Sequence, residues 1–178
     1  MVNSNRAYLM KLPEDKLIPQ IKTKHQFVMR SQTPERAEAF NNKKRQKGSV
    51  FYAWHGSGIY NWHSILRMGL KNYSNTKYMS AGAAHGAGIY TAEQSSTSLG
   101  YCRGGQGSMT WKGSIFGQDV CCMALCEIVG PKSQWDKNNG MYVISDEESV
   151  ATRYFFLFDA ATGIGSLSAN SLTLPKWD

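Results

Sequence analysis

The chain has 178 residues, of which 42% are hydrophobic and 12% aromatic, and it carries a formal net charge of +7. That length and apolar content suit one folded domain and exclude a disordered or low-complexity chain. No apolar run approaches the roughly 18 residues of a membrane-spanning helix, and the first residues lack the apolar stretch of a secretory signal, so no membrane partner is expected.

Much of the positive charge sits at Lys22, Lys24 and the run Asn41–Lys47. Such a field favours anionic partners, either nucleic acid or a dinucleotide pyrophosphate, or is simply a solvated face. The cysteines are Cys102, Cys121, Cys122 and Cys126. No paired C-x-x-C motifs accompany them, so no metal is expected. They read as free thiols packed as small hydrophobes in a reducing, cytoplasmic compartment.

Residues 1–22 mix polar residues with Pro13 and Pro19 and are expected to form an irregular arm with short extended pieces. His25–Met29 is a short apolar run with the length of a strand. Thr33 can cap a helix that has Pro34 at its first position and basic residues near its end at Lys47–Gly48. Val50–Trp54 is a strand of β-branched and aromatic residues, with His55-Gly56-Ser57 at its end. Asn61 is expected to cap a helix over Trp62–Met68, which Gly69 stops; Trp62, Ile65 and Leu66 form its buried stripe.

Residues 72–84 read as a loop, and Gly86 and Gly88 allow a tight turn or a close backbone approach. Ile89–Thr91 is a short strand and Gln94–Tyr101 a helix. The glycine-rich stretch 103–118 is a surface connection. Strands are expected over 119–129, Met141–Ile144 and Ala151–Phe158, with 132–140 a polar loop. In the last strand Tyr154, Phe156 and Phe158 lie on one face and Phe155 and Leu157 on the other. Residues 160–178 are expected to be a partly disordered tail. No G-x-G-x-x-G follows a strand and opens a helix with an acidic residue downstream, so a Rossmann dinucleotide site is not supported.

The chemistry-bearing residues concentrate between 51 and 101. His55 and the backbone of Gly56 stand at a strand end, a frequent location for binding groups. Tyr90 and Tyr101 can flank a flat ring, and a cationic ring would gain from their π faces. Ser98 shares a helical face with Tyr101.

The ordered motifs are His55-Gly56-Ser57, then Asn61-Trp62-x-Ser64-Ile65-Leu66-x-x-Gly69-Leu70, then Gly86-x-Gly88-Ile89-Tyr90, then Ser98-x-x-Tyr101. Together they resemble the catalytic domain of the poly(ADP-ribose) polymerase family, within the diphtheria-toxin-like ADP-ribosyltransferases. The resemblance covers residues 23–159. It implies an α+β ADP-ribosyltransferase fold: two packed, mostly antiparallel sheets around an NAD cleft, with a few peripheral helices.

By the same resemblance, His55 would bind the adenosine-side ribose of NAD+, and Gly56 and Ser98 would hold the nicotinamide carboxamide. Tyr90 and Tyr101 would flank the nicotinamide ring, while Ser57 and Asn61 would line the adenosine side. Polymer-forming members carry a glutamate as the third member of a catalytic triad. Matching Tyr154–Asp159 to the family's last core strand puts Tyr154 there, giving a histidine–tyrosine–tyrosine set of His55, Tyr90 and Tyr154. A tyrosine with pKa near 10 is a poor base at neutral pH. The expected activity is therefore transfer of one ADP-ribose from NAD+ to a protein acceptor, the chain itself included, by a monomer that needs no metal. A transferase acting on nucleic acid ends is the less favoured enzyme. A non-enzymatic module binding NAD+ or ADP-ribose is the alternative from another class.

Overall fold

The centre of the molecule is a strand with no solvent-facing side. In the computed structural model, which describes residues 9–29, 33–74, 85–102, 114–116 and 119–176, every residue of Val120–Val129 is buried. A strand covered on both faces reads as an unbroken apolar run, as this one does. The strands are β1 (Leu9–Lys11), β2 (His25–Met29), β3 (Val50–Gly56), β4 (Ile89–Ala92), β5 (Val120–Val129), β6 (Asp136–Asn138), β7 (Met141–Ile144) and β8 (Val150–Asp159). The helices are α1 (Pro34–Lys47), α2 (Trp62–Met68), α3 (Ser95–Cys102) and the single turn α4 (Lys132–Trp135).

All pairings are antiparallel, in the order β1-β2-β8-β5-β3-β4-β7-β6. The two expected sheets take the form of one hydrogen-bonded sheet in two halves. β3 is in register with β5 from Val50 to Gly56, yet it meets β4 at one pair, Trp54 with Ala92. The halves part there because α3 packs on both strands.

Side-chain alternation along the central strands fills two cores. Cys122, Ala124, Phe155 and Leu157 enter one, with Trp62 and Ile65 of α2. Met123, Leu125, Tyr154, Phe156 and Phe158 enter the other, with Trp54. The alternation read from 154–158 is thus reproduced. All four cysteines are buried free thiols; burial pushes the Cys126 thiol up to about 12, which leaves it unreactive.

Helix α1 begins and ends as its sequence requires. The Thr33 hydroxyl accepts from the Arg36 N–H at 3.3 Å, and Gly48 closes the helix in the left-handed region at φ +66°. Asn61 differs from expectation. It belongs to a 3-10 turn, and its side chain makes no cap hydrogen bond. Residues 132–140 also differ: they form α4 and β6, because Trp135 is buried and donates to the Val129 carbonyl at 2.9 Å. Asn139 and Gly140, both at positive φ, then make a two-residue hairpin into β7.

The segments flanking 23–159 pack on it. Leu12, Ile18 and Ile21 are buried in the second core. After Asp159, Ile164 is fully buried, the Leu167 carbonyl accepts from Trp54 Nε1 at 3.0 Å, and the buried Ser95 hydroxyl donates to the Gly165 carbonyl at 2.7 Å. The expected loose tail is therefore a strap across the N-terminus of α3. Its apolar residues are spaced too irregularly to announce this in the sequence. Ile164→Ala is expected to cost about 3 kcal/mol, measured by urea unfolding; stability equal to wild type would refute the strap.

Candidate active site

The site is assembled where β3 and β4 diverge. His55 lies near the end of β3, and its Nδ1 is 2.8 Å from the Tyr90 carbonyl oxygen. A carbonyl only accepts, so Nδ1 carries the hydrogen and Nε2 presents a lone pair. Burial lowers the His55 pKa below its ordinary 6.5, and the bond to Tyr90 only partly opposes it. The imidazole is neutral at pH 7, an acceptor for a hydroxyl donor. Trp62 packs edge-on against it, with ring centroids 6.1 Å apart.

Gly56 follows, and no other residue fits there. A Cβ would stand 1.9 Å from the Ser98 carbonyl oxygen and 2.9 Å from Cys102 Sγ. The missing side chain lets α3 lie directly on the strand. Ser98 is buried, and its hydroxyl donates to the Trp54 carbonyl at 3.0 Å, leaving lone pairs to accept with. Tyr101, three residues on, is 45% exposed at the rim. On the other side of His55, Asn61 Nδ2 donates to the Ser57 hydroxyl at 2.9 Å, and Trp62 Nε1 donates to the Ser57 carbonyl at 2.9 Å. Tyr90 is half-buried on β4. The structure thus gathers His55, Gly56, Ser57, Asn61, Tyr90, Ser98 and Tyr101 around one divergence of strands.

Tyr154 does not join them. It lies on β8 opposite Val28 and Leu125, and β5 and β3 separate it from β4. Three inter-strand steps make about 14 Å. It is 4% exposed within the second core, and its hydroxyl bonds the Pro175 carbonyl at 3.3 Å. The placement of Tyr154 in the triad is corrected accordingly.

The carboxylates nearest in sequence are also committed elsewhere. Glu127 pairs with Lys44 and Arg153, each at 2.6 Å; Glu148 pairs with Lys43 at 3.2 Å; Glu147 accepts from the Asn72 N–H at 2.7 Å.

The β4–β7 register identifies a residue that sequence reasoning missed. Tyr90 pairs with Val143 and Ala92 with Met141, so these four side chains share a face. Val143 is buried, whereas Met141 is partly exposed, on the diagonal from Tyr90 at about 7–8 Å. No local signal marks Met141, because its nearness to Tyr90 depends on which strand β7 pairs with. The loop expected over 72–84 lies outside the described residues from 75 onward, as does most of 103–118. Among the described residues no group of His, Cys, Asp and Glu could hold a metal ion.

Comparison with known proteins places this geometry in a class. The model of the poly(ADP-ribose) polymerase catalytic domain matches residues 16–134, and the chain belongs to that family. It is similar to the Homo sapiens and Mus musculus proteins named Protein mono-ADP-ribosyltransferase PARP8, at 34% identity over 182 positions, covering 89% of this chain and 21% of each relative. It is also similar to Homo sapiens Protein mono-ADP-ribosyltransferase PARP16, at 31% identity over 96 positions, covering 54% of this chain and 27% of that protein. The chain therefore spans about a fifth of the length of its PARP8 relatives.

Two outcomes test the site's construction. Gly56→Ala must push α3 off β3 and is expected to destabilise the fold by about 2 kcal/mol or more, read as a lowered urea midpoint; an unchanged midpoint refutes the contact. His55 titrates at its ordinary value when unfolded and lower when folded, so the unfolded state binds more protons as pH falls below 6.5. Stability is expected to fall on that acid side, less steeply in His55→Gln; parallel pH profiles for the two proteins would contradict the buried neutral imidazole.

Proposed function

We propose that this chain is an NAD-dependent mono-ADP-ribosyltransferase that releases nicotinamide and transfers one ADP-ribose to a protein acceptor, itself included, in a reducing intracellular compartment. The observation that carries this reading is the neutral His55 beside Gly56 and Ser98, with a thioether, Met141, on the Tyr90 face. Each donor group has a use for the dinucleotide. The His55 Nε2 lone pair accepts from a hydroxyl of the adenosine-side ribose. The Gly56 backbone and the Ser98 oxygen take the nicotinamide carboxamide. Tyr90 and Tyr101 flank the nicotinamide ring, whose positive charge favours aromatic faces. Ser57 and Asn61 line the adenosine side.

In the reaction, the bond between the ribose carbon and the nicotinamide nitrogen breaks, and its electron pair leaves with nicotinamide. The ribose carbon becomes oxocarbenium-like. A carboxylate or thiolate of the acceptor attacks that carbon and forms the new bond. Rate comes from holding the dinucleotide and the acceptor in line. Methionine neither donates a proton nor acts as a base. A sugar hydroxyl, which needs deprotonation to extend a chain, is poorly served. An acceptor that arrives already ionised needs no such help, so transfer stops at one unit.

The nucleic-acid alternative is weakened at two positions of the basic run on α1. Lys43 is paired with Asp146 and Glu148, and Lys44 with Glu127. These cations are neutralised within the protein rather than offered to phosphates.

Incubation with NAD+ is expected to release nicotinamide and raise the intact mass by single ADP-ribose increments. A ladder of long chains would refute the mono-transfer claim, and no nicotinamide would refute the enzyme. Tyr90→Ala is expected to lower kcat/KM on the order of 10- to 100-fold, the value of ring stacking. Tyr154→Phe is expected to retain transfer and lose only about 1 kcal/mol of stability with its bond to Pro175; loss of transfer at unchanged stability would return Tyr154 to the site.

A further inference from the structure

The reaction proposed above uses the ring face of Tyr90 and finds no use for its phenol. The structure shows the phenol's proton engaged. Its hydroxyl donates to the Gly86 carbonyl at 2.7 Å and accepts from the His85 N–H at 3.0 Å. A phenol has one proton to donate, and this one is committed. The hydroxyl therefore has no hydrogen to offer a bound dinucleotide. Gly86 stands at φ +101°, a backbone conformation that favours glycine and turns its carbonyl toward the ring.

Two residues further on, a second hydroxyl acts on the same turn. The Gly88 N–H donates to Ser74 Oγ at 2.9 Å. A Cβ on Gly88 would lie 2.6 Å from Val143 Cγ1 and 2.9 Å from the Ile144 carbonyl oxygen, so the turn is pressed onto β7. Ser74 is itself held. Its N–H donates to Asn72 Oδ1 at 3.1 Å, the Asn72 N–H donates to Glu147, and the Glu147 carbonyl accepts from Arg36 at 3.1 Å. The turn 85–88 is thus tied at one point to the ring that flanks the donor, and at another to the segment after α2.

We propose that the hydroxyls of Tyr90 and Ser74 form a two-point clamp that fixes the 85–88 backbone against the Tyr90 ring and so positions that ring for the dinucleotide. The proposal rests on the donor-site reading above. It makes Ser74 a positioning residue, and it separates the two halves of Tyr90: the ring binds, and the phenol holds the turn.

The test uses Tyr90→Phe, Ser74→Ala and the double variant in the full chain. Amide exchange is read at His85 and Gly88, and steady-state nicotinamide release is read over a range of NAD+. Tyr90→Phe is expected to speed exchange at His85, and Ser74→Ala at Gly88, each about five- to tenfold, as losing one hydrogen bond predicts. Both are expected to raise KM for NAD+ more than they lower kcat, because the ring face remains. The double variant is expected to show less than the product of the two single effects, since both release one turn. Unchanged exchange in either variant overturns the clamp. A fall in kcat in Tyr90→Phe with Ser74→Ala like wild type overturns it too, because the phenol would then act on the reacting atoms. If wild-type protein releases no nicotinamide, the functional reading fails by itself, and amide exchange still decides the clamp.

Discussion

Strands β3 and β4 share one registered pair, Trp54 with Ala92, and the site depends on how the two are held once they part. Beyond that pair the Tyr90 carbonyl faces β3 without a ladder partner. A buried carbonyl left unpaired would be costly, and the His55 Nδ1–H fills the role at 2.8 Å. One hydrogen bond therefore closes a gap in the sheet, selects the imidazole tautomer and leaves Nε2 as an acceptor. On the other side of the parting, α3 lies so close to Gly56 that no Cβ could enter. Sheet divergence, histidine tautomer and helix placement are a single arrangement.

That arrangement is supported from a distance. Helix α3 carries Ser98 and Tyr101, yet it is a short helix of serines, a threonine and a glycine with weak helical propensity. Packing holds it. The Ser95 hydroxyl donates to the Gly165 carbonyl and accepts from the Leu167 N–H, and the Ser95 N–H donates to the Leu167 carbonyl at 2.9 Å. The same carbonyl accepts from Trp54, the residue that joins the two halves of the sheet. Residues after Asp159 thus hold α3 in place. On the far side, Arg36 of α1 reaches the Met68 carbonyl at 2.7 Å and the Leu70 carbonyl at 2.9 Å, fixing the end of α2.

The chemistry follows from what surrounds Tyr90. Its face of β4 and β7 carries Ala92, Val143 and Met141, none of them ionisable. Glu93, the next residue along, is turned away to Lys132 and Tyr142, and its hydrogen bond from Lys132 holds its carboxyl below the usual range. In the proposed reaction such a face would offer an acceptor little help in losing a proton. The selectivity argued for ionised acceptors rests on this apolar face.

Local signals in the sequence determined much of this protein. The cap of Thr33 with Pro34, the stop at Gly48, the alternation through 154–158 and the order His55-Gly56, Gly88-Ile89-Tyr90, Ser98-x-x-Tyr101 all act over a few residues, where steric and hydrogen-bonding rules are strong. They pointed to the family, and to residues that the fold gathers where β3 and β4 part. What they could not decide was the third position, because a residue becomes a neighbour of Tyr90 only through the pairing of β4 with β7, and pairing register is set by tertiary contacts. Tyr154 and Met141 both lie in strands of plausible character. Only the assembled sheet buries Tyr154 in the second core, three strands away from β4, and sets Met141 on the same face as Tyr90. The strap after Asp159 was hidden for the same reason: its stabilisation comes from Trp54 and Ser95, residues distant in sequence and adjacent only in the fold.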